Sequence, residues 1–139
     1  MLGNGRVTDT QSFECLRGKH SGVVFIVASG PSVNEFPLQR YAQYPMMAMN
    51  GSICRFADAG VKPLFYICDD SSFVRNRLPL LQQGLALAQN LAFSPRVITA
   101  LLAQAPQCAK RTIGVWLRTC ESASRWACAD GRSSVCLGC

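Results

Sequence analysis

The sequence predicts an α/β domain built on a mostly parallel sheet. Three observations predict it. Short apolar runs end in small polar turns, a helix-like stretch follows each turn, and the unit recurs about every twenty residues. A strand buried on both faces reads as continuous apolar residues, and these runs do so. Strands that alternate with helices pair in parallel through right-handed crossovers, so their carboxyl ends share one edge of the sheet.

The first strand is Val23–Ala28, a run of β-branched and aromatic residues that stops at Ser29-Gly30-Pro31-Ser32. Gly30 lacks a Cβ and lets a backbone or a phosphate come close. Ser32 is placed to cap the next helix. That helix is expected over Val33–Tyr44, interrupted early by Pro37. Met46–Met49 is a second apolar run, ending at Asn50-Gly51-Ser52. Ile53–Ala59 reads as a helix closed by Gly60. Pro63–Cys68 is the third strand, ending at Asp69-Asp70-Ser71-Ser72. Phe73–Gln83 reads as a helix with Gly84 as its C-cap. Leu85–Phe93 fits either a fourth strand or a continuing helix. Ser94-Pro95 is a start signal for a helix over Arg96–Ala105.

Size and composition bound the function. The chain has 139 residues, enough for one domain with a real core. The net charge of +6 favours phosphates, anionic glycans or an anionic membrane surface. No basic block and no RNA-binding aromatic signature occurs, so nucleic acid is not an expected partner. No apolar stretch is long enough to span a bilayer, and Met1–Lys19 lacks the apolar core of a signal peptide. The expected location is the cytoplasm, where thiols stay reduced. Cys15, Cys54, Cys68 and Cys108 are scattered, and two of them sit in apolar surroundings typical of buried free thiols.

Three regions are expected. Residues 1–21 form a polar, weakly structured leader, 22–109 form the α/β part, and 110–139 form a tail rich in Cys, Trp and Arg. The tail holds Cys120, Cys128, Cys136 and Cys139. Only Cys136-Leu137-Gly138-Cys139 has the spacing of a zinc knuckle, and no second knuckle precedes it. The tail also reads as out-of-frame sequence, non-native or disordered.

The candidate site is the three strand ends: Ser29, Gly30, Pro31 and Ser32; Asn50, Gly51 and Ser52; Asp69 and Asp70. Ligands of open α/β sheets bind at that edge. Asn50 offers an acceptor and two donors to a base, a ribose or a sugar hydroxyl, although Asn-Gly is equally a turn pair. Asp69 or Asp70 can accept from ribose hydroxyls, while one of Asp70, Ser71 and Ser72 caps the following helix. Arg75 and Arg77 point to different helix faces, so at most one aims at a phosphate. His20, the sole histidine, precedes the first strand and lies away from this edge. The Walker lysine is absent, and so are the second and third glycines of the dinucleotide fingerprint. No catalytic residue, metal site or bound cofactor is assigned.

Phe25–Ser32, Ala48–Ser52, Val61–Ile67, and Asp70 followed by Phe73 carry a resemblance in order and spacing. From about Val23 to Ile98 the chain resembles the amino-terminal half of the bacterial lipopolysaccharide-core glycosyltransferases that add 3-deoxy-manno-octulosonic acid. It is more distantly similar to the bacterial sialyltransferases that use CMP-sialic acid. The resemblance implies a Rossmann-like three-layer α/β/α fold, incomplete relative to the family. It implies a CMP-sugar donor recognised around Ser29, Gly30, Ser32 and Asn50, with Asp69 or Asp70 nearby. It also implies a glycolipid acceptor and work at the inner face of the cytoplasmic membrane. No match continues beyond Lys110, so the chain reads as a truncated or frameshifted member that binds CMP-sugar without turnover. Two other readings stand beside it: a non-catalytic nucleotide-binding remnant, and a pyrophosphokinase-like domain in which Asp69 and Asp70 hold magnesium for ATP.

Overall fold

The computed structural model describes residues 17–110. Their strands form one four-stranded sheet in the order β1-β2-β3-β4 (Phe25–Val27, Met46–Met49, Phe65–Cys68 and Asn90–Phe93), every pair parallel. The predicted Rossmann-like α/β architecture with a parallel sheet is therefore present. The helices are α1 (Ile53–Ala59), α2 (Ser71–Leu87) and α3 (Pro95–Gln104). No described helix is long and apolar enough to cross a membrane.

Strands that pair in chain order through right-handed crossovers send every connection to one face of the sheet. The packing shows this. Val27, Ala48, Tyr66, Cys68, Leu91 and Phe93 point to one side and form the main core with Ile53 and Phe56 of α1, Val74 and Leu81 of α2, and Val97 and Leu101 of α3. The opposite face holds Phe65 and Ala92, with Met47, Leu64 and Ile67 partly covered and Ile26 62% exposed. The described residues thus supply a sheet and one helical layer.

Helix boundaries correct the sequence reading at three points. The helix expected over Val33–Tyr44 is instead two short 3-10 segments, Pro31–Asn34 and Leu38–Tyr41. Pro37 has no N–H to give, and a proline disfavours helical angles in the residue before it, so the run breaks there. Ser32 lies inside the first segment, whose N-cap is Gly30 and which has no side-chain capping bond, so the expected capping role falls away. The third correction is Gly84, which lies inside α2 and not at its end.

Helix α2 is itself bent. Arg77 leaves helical geometry at φ −136° and ψ 34°, two residues before Pro79. Proline removes an intrahelical bond and crowds the carbonyl four residues earlier, which accounts for the bend. Beyond it, Gly84 packs directly on the Tyr66 ring, close enough that any side chain there would collide with the ring carbons. The segment 85–93 resolves as both alternatives in turn: α2 continues to Leu87, and β4 begins at Asn90. Helix α3 lies one residue earlier than the expected Arg96–Ala105 at each end, capped by the Ser94 hydroxyl accepting from Val97 N at 3.4 Å.

Cys54, Cys68 and Cys108 are free thiols, and Cys68 is fully buried. Burial pushes its thiol up to about 11, so almost no reactive thiolate forms at neutral pH. In native protein at pH 8, iodoacetamide is expected to label Cys54 and Cys108 well before Cys68, with Cys68 reacting at the rate of unfolding. Peptide mass mapping against time checks this. Of the leader expected over residues 1–21, residues 1–16 lie outside the described residues, and so does the tail expected over 110–139, with its zinc knuckle, from Arg111 onward.

Candidate functional site

All four strands run the same way, so their carboxyl ends and the turns that follow line one rim. The first two turns touch. A Cβ built on Gly51 would lie 3.5 Å from the Cβ of Ser29 and 4.0 Å from Cε2 of Phe73. Phe73 in turn donates its N–H to Asp70 O at 3.1 Å. The row Ser29–Gly51–Phe73–Asp70 therefore joins the ends of β1, β2 and β3.

Ser29, Gly30, Pro31 and Ser32 are all exposed on this rim. Gly30 starts the turn, and its carbonyl accepts from Val33 N at 3.1 Å. Beside this turn, along the free edge of β1, lies a cavity of about 510 Å³ walled by Phe25–Ala28, Gly30, Ser32, Val33 and Glu35–Pro37. Phe25 and Phe36 form part of an aromatic cluster there, their centroids 5.6 Å apart.

Asn50 has a positive φ of 48°, the single described non-glycine residue with one. Asparagine tolerates that left-handed conformation better than most residues. Its backbone carbonyl accepts the Tyr66 hydroxyl at 3.1 Å. Its side-chain Oδ1 is buried and has no hydrogen-bond partner among the described residues. Buried polar atoms are nearly always satisfied, so this orphaned acceptor stands out beside the rim.

Ser52 is only 1% exposed, and its hydroxyl is already committed. It accepts from Met49 N at 2.9 Å and donates to Val27 O at 2.7 Å. In a parallel ladder with Val27 opposite Ala48, Met49 N and Val27 O are the groups that would bond directly. The hydroxyl bonds both groups and ties the end of β1 to the second turn. Of the expected nucleotide-contacting residues, Ser52 thus lies buried beneath the rim with its hydroxyl bonded within the protein.

Asp70 is the N-cap of α2. Its Oδ1 accepts from Ser72 N at 2.8 Å and from the Ser72 hydroxyl at 2.7 Å. Those bonds, the hydroxyl's first, hold its carboxyl below the ordinary carboxylate range. Asp69 is exposed and faces Arg96 at 3.9 Å, a surface pair of little energetic weight. Arg96 brings the end of β4 to the rim, a position the sequence reading did not include. Among the described residues no three His, Cys, Asp or Glu side chains group to hold a metal ion. His20 lines a separate cavity of about 260 Å³ with Pro45, Met47, Leu64 and Phe65, residues that precede or open the strands. That cavity is at the amino edge, away from the rim.

Two features of the site escaped the sequence. The Tyr66 hydroxyl bond to Asn50 spans sixteen residues, although a tyrosine inside an apolar strand is itself a signal, since a buried hydroxyl seeks a partner. The β1-edge cavity depends on the 3-10 segments that replaced the expected helix. Comparison with family models, with curated proteins and with solved structures gives no match.

Proposed function

We propose that the carboxyl rim binds a cytidine nucleotide, as the nucleotide part of a CMP-sugar, in a glycosyltransferase-like domain of surface-glycan synthesis. The observation that carries this reading is Asn50: a buried, unpartnered acceptor on a left-handed turn, at the centre of a rim shared by three strand ends. An amine of the base or a ribose hydroxyl supplies the donor that Oδ1 lacks. The exposed hydroxyls of Ser29 and Ser32, with the backbone at Gly30, face a phosphate approaching the first turn. Hydroxyls and backbone N–H groups placed there stabilise a departing phosphate. Asp69, exposed beside the rim, offers a carboxylate to ribose hydroxyls. On this reading the acceptor is a glycolipid, the protein works at the inner face of the cytoplasmic membrane, and the net charge of +6 draws it to anionic lipid.

Calorimetric titration tests the proposal. CMP is expected to bind saturably in the millimolar range or tighter without added metal, and Asn50→Ala to weaken it about tenfold, the loss of a buried hydrogen bond to the ligand. Absence of saturable heat at millimolar CMP overturns the reading. Binding of ATP that requires magnesium, with CMP inert, replaces it with the pyrophosphokinase-like one. Release of CMP from CMP-sialic acid measures turnover separately from binding.

A further inference from the structure

Asn50 is held from two sides by hydroxyls that do not face the rim. The Tyr66 phenol reaches up from β3 to its carbonyl at 3.1 Å, and the Ser52 hydroxyl receives the N–H of the preceding residue, Met49, at 2.9 Å. The turn between them carries the left-handed Asn50. For a residue with a Cβ this conformation is unfavourable without local support, less so for asparagine than for most. Tyr66 is fully buried, its ring clamped between Gly84 of α2 and Phe93 of β4, the two rings edge to face at 5.7 Å. A phenol so fixed cannot follow the turn if the turn moves. Burial holds it above its ordinary titration range, so the hydroxyl stays a donor at any working pH.

We infer that Tyr66 and Ser52 are positioning residues, a two-hydroxyl cradle that fixes the left-handed turn at Asn50 and so aims its side chain. The functional half of this inference rests on the nucleotide reading of the rim; the conformational half does not. The cradle explains why a tyrosine stands at a core position where phenylalanine would pack as well. It also explains why a serine hydroxyl is buried at the end of the β1–β2 ladder, bonded to a group of each strand.

Tyr66→Phe is the direct test, because it keeps the ring and removes only the hydroxyl. In free protein the Asn50 and Gly51 amide resonances are expected to shift, and the Met49 amide to exchange with deuterium several-fold faster. CMP affinity is expected to fall about three- to tenfold, the range for one neutral hydrogen bond acting through a neighbour. A wild-type protein that binds CMP, with a Tyr66→Phe variant that binds it equally well, overturns the positioning role. A wild-type protein that does not bind CMP removes the nucleotide reading alone, and the amide measurements still decide the cradle: unchanged Asn50 and Met49 signals overturn it. A double-mutant cycle with Asn50→Gly guards against a folding defect in the single variant. Glycine takes a positive φ without support, so Tyr66→Phe is expected to shift the unfolding midpoint less in the Asn50→Gly background than in wild type. Equal shifts in the two backgrounds count against the cradle.

Discussion

Gly84→Val is expected to lower the unfolding free energy by about 3 kcal/mol, the upper part of the range for forcing extra atoms into a filled core. The cause is contact geometry. Gly84 is buried in the second half of α2, and the Tyr66 ring lies where a Cβ would stand. Tyr66 cannot yield, because its other side meets Phe93 and its hydroxyl is bonded to Asn50. Helix propensity works the other way, since replacing a mid-helix glycine by alanine gains about 1 kcal/mol at an unencumbered position. Gly84→Ala is therefore the sharper variant: propensity predicts a more stable protein, the ring contact a less stable one. The contact should win. For a domain of this size 3 kcal/mol corresponds to a fall of roughly 15 °C in the midpoint of thermal unfolding. Ala86→Val, on an exposed position two residues away, should change the midpoint little. Circular dichroism melts of the three variants check this. A Gly84→Ala variant as stable as wild type contradicts the packing.

Ser52→Ala is expected to cost about 1–2 kcal/mol, from the loss of two hydrogen bonds made by one buried hydroxyl. Met49 N and Val27 O are bridged by the Ser52 hydroxyl at 2.9 and 2.7 Å, and the residue is 1% exposed, so solvent does not replace it. Ser72→Ala gives the contrast. Its hydroxyl reaches the exposed Asp70 carboxylate, which keeps the Ser72 backbone N–H as a donor when the hydroxyl is gone. Urea unfolding of both variants separates the buried tie from the exposed cap. Equal midpoints for Ser52→Ala and wild type contradict the bridging hydroxyl.

These two positions also mark where sequence reasoning stops. The strand ends at Ser29, Asn50 and Asp69 are legible because each closes a run of apolar residues, and that pattern is local. Parallel pairing follows from the alternation, and the helix over 96–105 follows from Ser94-Pro95. Gly84 is different. A glycine late in an apolar-periodic stretch looks the same whether it ends a helix or lets a ring approach, and the ring belongs to Tyr66, eighteen residues earlier in the chain. Ser52 reads as one more small polar residue of a turn. The commitment of its hydroxyl within the protein depends on Val27 O, twenty-five residues away. Local patterns expose where the chain turns; they do not expose which hydroxyl a distant carbonyl consumes. The lost first helix is a separate case. Pro37 was visible as a breaker, yet Val33, Phe36, Tyr41 and Tyr44 kept enough apolar spacing to suggest a helix. The structure uses Phe36, Tyr41 and Tyr44 in the aromatic cluster with Phe25 instead.

The central claim is that one rim, assembled from the ends of parallel strands, receives a cytidine nucleotide. Amide chemical-shift mapping during CMP addition tests it most directly. The account predicts saturable shifts at Ser29, Gly30, Ser32, Asn50, Gly51, Asp69 and Asp70, with the amino-edge residues His20, Val24 and Leu64 unmoved. Shifts confined to His20, Val24 and Leu64, or none at millimolar CMP, would contradict it.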